Sequence, residues 1–213
     1  MIKACIFDLD GVVVDTAKYH FIAWRELAKG MNFEFTEKDN ERLKGVSRMT
    51  SLDILLEIGN VSLSQEEKLA LAEQKNVEYL EYIYKMGPEE ILPGVKDFIL
   101  DLRAKGIKIA LGSASKNAKL ILERLEITSL FDALVDGTMV SNAKPDPQVF
   151  TLGAELLEVA NEECIVFEDA VAGLQAAHNA NMKCVGVGDT ETLSEADWNI
   201  EGFENIKPEA FNI

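Results

Sequence analysis

Short apolar runs bounded by polar turns recur at residues 2–7, 107–111, 133–135, 164–167 and 184–187. Continuous apolar runs of this length read as strands buried on both faces. Between the later runs the apolar positions change to a helical period, near 95–105, 116–125, 147–159 and 170–180. Strands alternating with helices predict right-handed crossovers, hence an α/β fold with a doubly wound parallel sheet. Ligands in such sheets bind beyond the carboxyl ends of the strands.

The stretch from about 16 to 87 breaks that rhythm. Its helical patterns fall near 17–29, 37–43, 49–58 and 64–85, with no strand-like run among them. Gly87-Pro88 and Pro93-Gly94 then punctuate the return to the first rhythm. The expected organisation is a core domain of residues 1–15 and 88–213, with an all-helical cap domain, 16–87, inserted over the carboxyl end of the sheet. The two crossings, 14–17 and 87–93, are its expected hinge. No internal repeat or low-complexity segment interrupts this plan.

Composition narrows the class of partner. The chain has 213 residues, enough to bury a core without staples. Its formal net charge of −16 disfavours nucleic acid and anionic lipid as partners. Any phosphate it binds must therefore sit in a local pocket of Lys, Arg, backbone N–H groups and a metal. Cys5, Cys164 and Cys184 each lie in an apolar run, and no CxxC or Cys/His zinc spacing is present. They are expected to be reduced core residues, which favours a reducing compartment. The opening apolar run ends at Asp8 and Asp10, without the basic head and cleavage site of a signal peptide. No stretch is long enough to span a bilayer, so the expected location is the cytoplasm; a monomer is the expected state.

The candidate chemistry sits at the strand ends. The run Phe7-Asp8-Leu9-Asp10-Gly11-Val12 closes the first strand. Side chains two apart in extended chain point the same way, so two carboxylates face one spot. They repel unless a proton or cation intervenes, and Mg²⁺ suits hard oxygen ligands while leaving room for a phosphate. Alone, such a pair is more often an acidic turn. Three further pieces change that balance. Gly112-Ser113-Ala114-Ser115-Lys116-Asn117 follows the second strand and can cradle a phosphate before a helix. Lys144, before Pro145-Asp146-Pro147, can neutralise a transferring phosphoryl group. Glu168-Asp169, after the fourth run, adds two acids for a metal.

These four pieces, in this order and each at a strand end, resemble the haloacid dehalogenase superfamily of phosphotransferases. The resemblance covers the whole chain and implies a Rossmann-like core with a type-1 cap. It implies that Asp8 is the nucleophile and Asp10 the general acid/base. Ser113 and Lys144 would hold the transferring phosphoryl group. Magnesium would be held by Asp8, the backbone carbonyl of Asp10, Glu168 and Asp169. The chemistry is self-consistent, because a carboxylate attacking phosphorus splits one hard transfer into two easier ones.

The cap resembles that of the superfamily's sugar phosphomutases, in the run Val14-Asp15-Thr16-Ala17-Lys18-Tyr19-His20, in Trp24 and in Leu43-Lys44-Gly45-Val46-Ser47-Arg48. The implied reaction interconverts the 1- and 6-phosphates of β-D-glucose through an aspartyl phosphate and a glucose bisphosphate. The alternative is a phosphatase of small sugar phosphates. A bisphosphate needs a second phosphate site, for which Arg48 on the cap and Ser115, Lys116 and Asn117 on the core are suited. Thr16, His20 and Lys75 would engage Asp10 and the sugar when the cap closes, with Trp24, Gly45 and Ala114 lining the substrate. Trp24 and Tyr19 can equally be cap packing. His178 has no assigned role.

Overall fold

The computed structural model describes residues 1–43 and 45–213; Lys44 lies outside the described residues. Six strands form one parallel sheet: β1 (Ala4–Phe7), β2 (Lys108–Gly112), β3 (Ala133–Val135), β4 (Cys164–Glu168), β5 (Lys183–Val187) and β6 (Trp198–Ile200). Their order is β3-β2-β1-β4-β5-β6. This is the doubly wound order in which the chain reverses direction across the sheet beside β1, and ligand crevices open at that switch. Phe7 pairs in register with Leu111 of β2 and Phe167 of β4. The next residues of all three strands therefore emerge side by side, which brings Asp8, Gly112 and Glu168 to one edge.

Side chains of β1 alternate between the two faces. Cys5 and Phe7 join one apolar cluster with Phe98, Phe203 and Phe211, while Ala4 and Ile6 join another with Phe150 and Leu174. The Phe7 and Phe167 rings stack at 4.7 Å between centroids. Each immediately precedes a carboxylate of the candidate site, so ring packing fixes the separation of Asp8 and Glu168. Such a stack contributes about 0.5–1.5 kcal/mol beyond its buried area.

Helices α5 (Val95–Ala104), α6 (Ala118–Arg124), α7 (Gln148–Leu156) and α8 (Val171–Asn179) cover the sheet. The inserted stretch carries α1 (Ala17–Gly30), α2 (Glu37–Asn40), α3 (Arg48–Ile58) and α4 (Gln65–Ile83). Trp24, Leu27, Phe35, Leu52 and Leu55 give it an apolar core of its own. The two crossings lie against each other. Val14 bridges to Ile91, Leu92 donates its N–H to the Val13 carbonyl at 3.0 Å, and Glu90 accepts from Lys18 and Tyr19 at 2.6 and 2.7 Å. Among the described residues no helix is long and apolar enough to cross a membrane.

Three elements differ from the sequence pattern. β6 was not expected; it is a three-residue, half-buried edge strand without an apolar run. The pattern at 37–43 splits into α2 and a 3₁₀ turn, Glu41–Leu43. The pattern at 116–125 becomes helical only at Ala118, because Ser113 Oγ accepts the Ser115 N–H and Ser115 Oγ the Asn117 N–H, at 3.1 and 3.2 Å. Local hydroxyl-to-backbone bonds compete with a helix and hold 113–117 as a loop.

Candidate active site

At the carboxyl edge of β1 the buried Lys144 ammonium reaches Asp8 Oδ1 at 2.6 Å and Glu168 Oε1 at 2.5 Å. Burial alone would lower its pKa, but the two carboxylates outweigh that and hold it above the ordinary lysine value. Lys144 is therefore permanently charged. The Asp8 carboxyl is pushed up to about 6, by burial first, against the pull of Lys144 and with the repulsion of Glu168. Ser113 is buried beside them at the end of β2, its N–H donated to the Val135 carbonyl at 3.0 Å.

The acids here fit a magnesium ion. Carboxylate oxygens of Asp8, Glu168 and Asp169 lie within 4.8 Å of one another, a hard all-oxygen donor set. Glu168 also accepts the Ala170 N–H at 2.9 Å, which fixes its orientation and leaves further lone pairs. Two glycines make the cradle. A Cβ on Gly11, at φ +77°, would overlap the Asp169 carboxylate, and one on Gly173 would overlap that of Glu168.

Asp10 opens a second cluster. Its carboxyl is pushed up to about 7, by burial first and then by Asp8. Asp10 Oδ1 is buried with no hydrogen-bond partner among the described residues, and the buried Thr16 and Tyr79 hydroxyls lie beside each other. Thr16 occupies the N-cap of α1, yet its side chain makes no capping bond. A buried threonine hydroxyl that does not cap its own helix stays available to a ligand. Burial and the nearness of Asp10 push the Tyr79 phenol well above its ordinary value. Lys75 lies over the rings of Trp24 and Tyr79, 4.6 Å from each, and contacts His20 Nδ1 at 2.6 Å. Burial, then the Arg48 charge, lowers its ammonium to about 7, and burial drops the His20 imidazole well below its usual value. Trp24 is thus both cap core and the platform under Lys75.

One cavity of about 750 Å³ joins these groups to a cationic far end. There Arg48, at the start of α3, donates to Asn76 Oδ1 at 2.7 Å, and Asn117 Nδ2 donates to the same oxygen at 3.0 Å. Gly45, Ala114, Ser115 and the exposed Lys116 line the cavity between. The predicted residues Asp8, Asp10, His20, Ser113, Lys144 and Asp169 all border it. Thr16 and Glu168 stand behind the lining, fully buried. Asn76 and Tyr79 were missed by the sequence reading. They share one face of α4 with Lys75, a spacing that could have drawn them in.

Comparison with known proteins settles the family. The model of the haloacid dehalogenase-like hydrolases matches residues 2–181. The chain belongs to the haloacid dehalogenase-like hydrolases. Among its relatives in that family, the β-phosphoglucomutase of Bacillus subtilis is 44% identical over 92% of this chain and 87% of its own length. A phosphorylated carbohydrates phosphatase of Thermotoga maritima is 33% identical over 91% of each. The crystal structure of a β-phosphoglucomutase from Clostridium difficile superposes with a TM-score of 0.96 at 45% identity, covering 100% of this chain and 96% of that one.

Proposed function

We propose that this haloacid dehalogenase-like hydrolase is a β-phosphoglucomutase, interconverting β-D-glucose 1-phosphate and glucose 6-phosphate. The observation that carries the reading is a single cavity with two anion-binding ends: Asp8, Ser113 and Lys144 at one, Arg48, Asn117 and Lys116 at the other. A monophosphate phosphatase needs the first end alone, whereas glucose 1,6-bisphosphate needs both. The similarity to two β-phosphoglucomutases across most of the chain supports the same reading.

In the proposed reaction an Asp8 oxygen attacks phosphorus, and the phosphorus–sugar oxygen bond breaks as the aspartyl phosphate forms. Asp10 gives its proton to the departing oxygen, then takes one from the hydroxyl that attacks phosphorylated Asp8. Its carboxyl at about 7 suits both directions near neutral pH. Lys144 neutralises the phosphoryl oxygens and keeps the anionic Asp8 from repelling its target. The ion held by Asp8, the Asp10 carbonyl, Glu168 and Asp169 is proposed as Mg²⁺, which when bound adds charge neutralisation at the phosphoryl group. The bisphosphate turns over between the two ends, so either phosphate can face Asp8. Residues 16–87 are proposed as the cap that closes on the 1–15 and 88–213 core, with Thr16, His20, Trp24, Gly45 and Lys75 around the sugar. One chain contributes both ends of the cavity, so a monomer suffices, and three free buried thiols favour a cytoplasmic setting.

The test supplies each anomer of glucose 1-phosphate with Mg²⁺ and a trace of glucose 1,6-bisphosphate and follows both products. Glucose 6-phosphate, mainly from the β anomer, is expected. Free phosphate as the dominant product would move the assignment to a sugar-phosphate phosphatase.

A further inference from the structure

His178, Cys184 and Asp197 are far apart in character and lack any metal-binding spacing, yet the fold brings them together. His178 lies in the last turn of α8, Cys184 is the second residue of β5, and Asp197 directly precedes β6. All three sit at the amino ends of the strands, the edge opposite Asp8. Helix α8 separates this cluster from the Glu168-Asp169 pair; its nine residues span about 13 Å.

His178 Nε2 is 3.2 Å from Cys184 Sγ and 3.4 Å from Asp197 Oδ2. The three donor atoms lie within 4.8 Å of one another. One ring nitrogen thus faces a sulfur and an acid oxygen together. A neutral imidazole serves both only through one shared Nε2–H, with the sulfur a weak acceptor. A cation at the centre of the triangle serves all three. With bonds of about 2.0–2.3 Å, the edges of a tetrahedral zinc site are about 3.3–3.6 Å, close to the two separations from His178 Nε2.

The surroundings are built for such an ion. Lys183 pairs with the other Asp197 oxygen, Oδ1, which leaves Oδ2 turned toward the triangle. Asp197 is further pinned to β5: its Oδ2 accepts the Cys184 N–H and its own N–H binds the Cys184 carbonyl, both at 3.0 Å. Outer partners of this kind hold a ligand in place before an ion arrives. Cys184 is fully buried while the His178 side chain is 41% exposed, so the triangle is walled on the sulfur side and open to solvent on the histidine side. That opening admits the ion and leaves a fourth position for water.

We propose that His178, Cys184 and Asp197 form a binding site for one thiophilic divalent cation of the zinc class, separate from the all-oxygen magnesium site. The mixed S/N/O donors favour zinc or cobalt over magnesium, whereas Asp8, Glu168 and Asp169 favour the reverse. On binding, the Cys184 thiol releases its proton to the solvent and the thiolate ligates the ion. The bound ion ties α8 to β5 and to the edge strand β6.

The test uses the full chain with cobalt(II) as probe and excess Mg²⁺ to fill the oxygen site. Expected are one Co²⁺ per chain, strong visible bands of a four-coordinate ion, a near-ultraviolet thiolate-to-cobalt band, and a rise in melting temperature. Cys184→Ala should abolish the charge-transfer band. His178→Ala, a change at a half-exposed helix end that leaves the core intact, should weaken binding beyond the roughly 10–100-fold loss typical of an outer partner. A pale six-coordinate spectrum, a charge-transfer band that survives Cys184→Ala, or unchanged affinity in His178→Ala would each overturn the proposal.

Discussion

Asp8 and Asp10 are two residues apart, and their neighbours differ. Asp8 is clamped by Lys144, while Asp10 Oδ1 has no partner among the described residues. Asp8→Asn removes the atom that receives the phosphoryl group, so neither turnover nor a phosphoenzyme is expected; quench-flow with labelled substrate checks both, and a near-normal rate would sink the mechanism. Asp10→Asn keeps the backbone carbonyl proposed for the metal. It should keep Mg²⁺ affinity, measured by calorimetry, and lose about 10²–10⁴-fold in rate, the usual worth of general acid–base help. Lys75 allows a different test. Its folded pKa of about 7 lies well below the 10.5 of an ordinary lysine. The unfolded chain therefore binds this proton more tightly, and stability rises with pH between those two values. The penalty is full below the folded pKa and gone above the unfolded one, on the order of 5 kcal/mol. Lys75→Met should thus be relatively more stable near neutral pH and lose that advantage by about pH 10. Urea denaturation of both proteins across that range gives the difference, and a flat difference contradicts the assigned burial. Asp8 and the Glu168-Asp169 pair were legible in sequence because they stand at strand ends, where position in the chain fixes position in the fold, and Lys144, in the turn before α7, through its place in the order of the four pieces. Lys75 was legible only through resemblance, since helices are full of solvated lysines. Asn76 and Tyr79 could be reached only from their place beside Lys75 on α4, and the His178 cluster not at all, because tertiary contacts alone bring it together.

Three elements converge on one oxygen at the far end of the cavity: α3 through Arg48, α4 through Asn76, and the cap of α6 through Asn117. A bond from a charged donor contributes more than one from an amide, about 1.5–3 against about 1 kcal/mol. Arg48→Ala removes both that bond and the proposed grip on the second phosphate, and should reduce kcat/KM on glucose phosphates most. Asn76→Ala should reduce it roughly 10–100-fold and Asn117→Ala roughly fivefold. Hydrolysis of acetyl phosphate, which carries no second phosphate, should change little in all three. Equal losses on both substrates would mean that the network serves the cap fold alone. Element boundaries follow the same physics. The helix expected from 64 starts one residue later because Ser64 and Glu67 form a capping box, at 3.3 Å from Ser64 Oγ to the Glu67 N–H. Strand β6 escaped notice because Trp198-Asn199-Ile200 pairs only with β5 at the sheet edge, where a short, half-buried strand needs no apolar run.

At the scale of the whole molecule, a net charge of −16 surrounds a cavity that holds Arg48, Lys75, Lys116 and Lys144. The cations proposed to meet phosphate come from both parts of the chain, Arg48 from the inserted helices and Lys116 and Lys144 from the sheet. Full neutralisation therefore requires the two parts to close together. The proposed closure would hold Thr16, Tyr79 and Lys75 around Asp10, the group proposed to take a proton before phosphorylated Asp8 passes its phosphoryl group on. On this proposal, water reaching an open site would find the acyl phosphate but lack a positioned base, whereas a sugar phosphate held at its far end by Arg48 would keep the cap closed and the base in place. This predicts a phosphoenzyme whose lifetime depends on the acceptor. Formed from acetyl phosphate and Mg²⁺ and freed of excess donor, it should decay slowly alone and discharge to glucose 6-phosphate faster by about the general-base factor, 10²–10⁴-fold. Arg48→Ala should remove most of that acceleration while leaving the slow decay unchanged, because the hydrolytic path does not use the far end. Rapid quench with labelled phosphoenzyme reads both rates. Decay at one rate with and without glucose 6-phosphate would mean that closure does not gate Asp10, and that water is as good an acceptor as sugar.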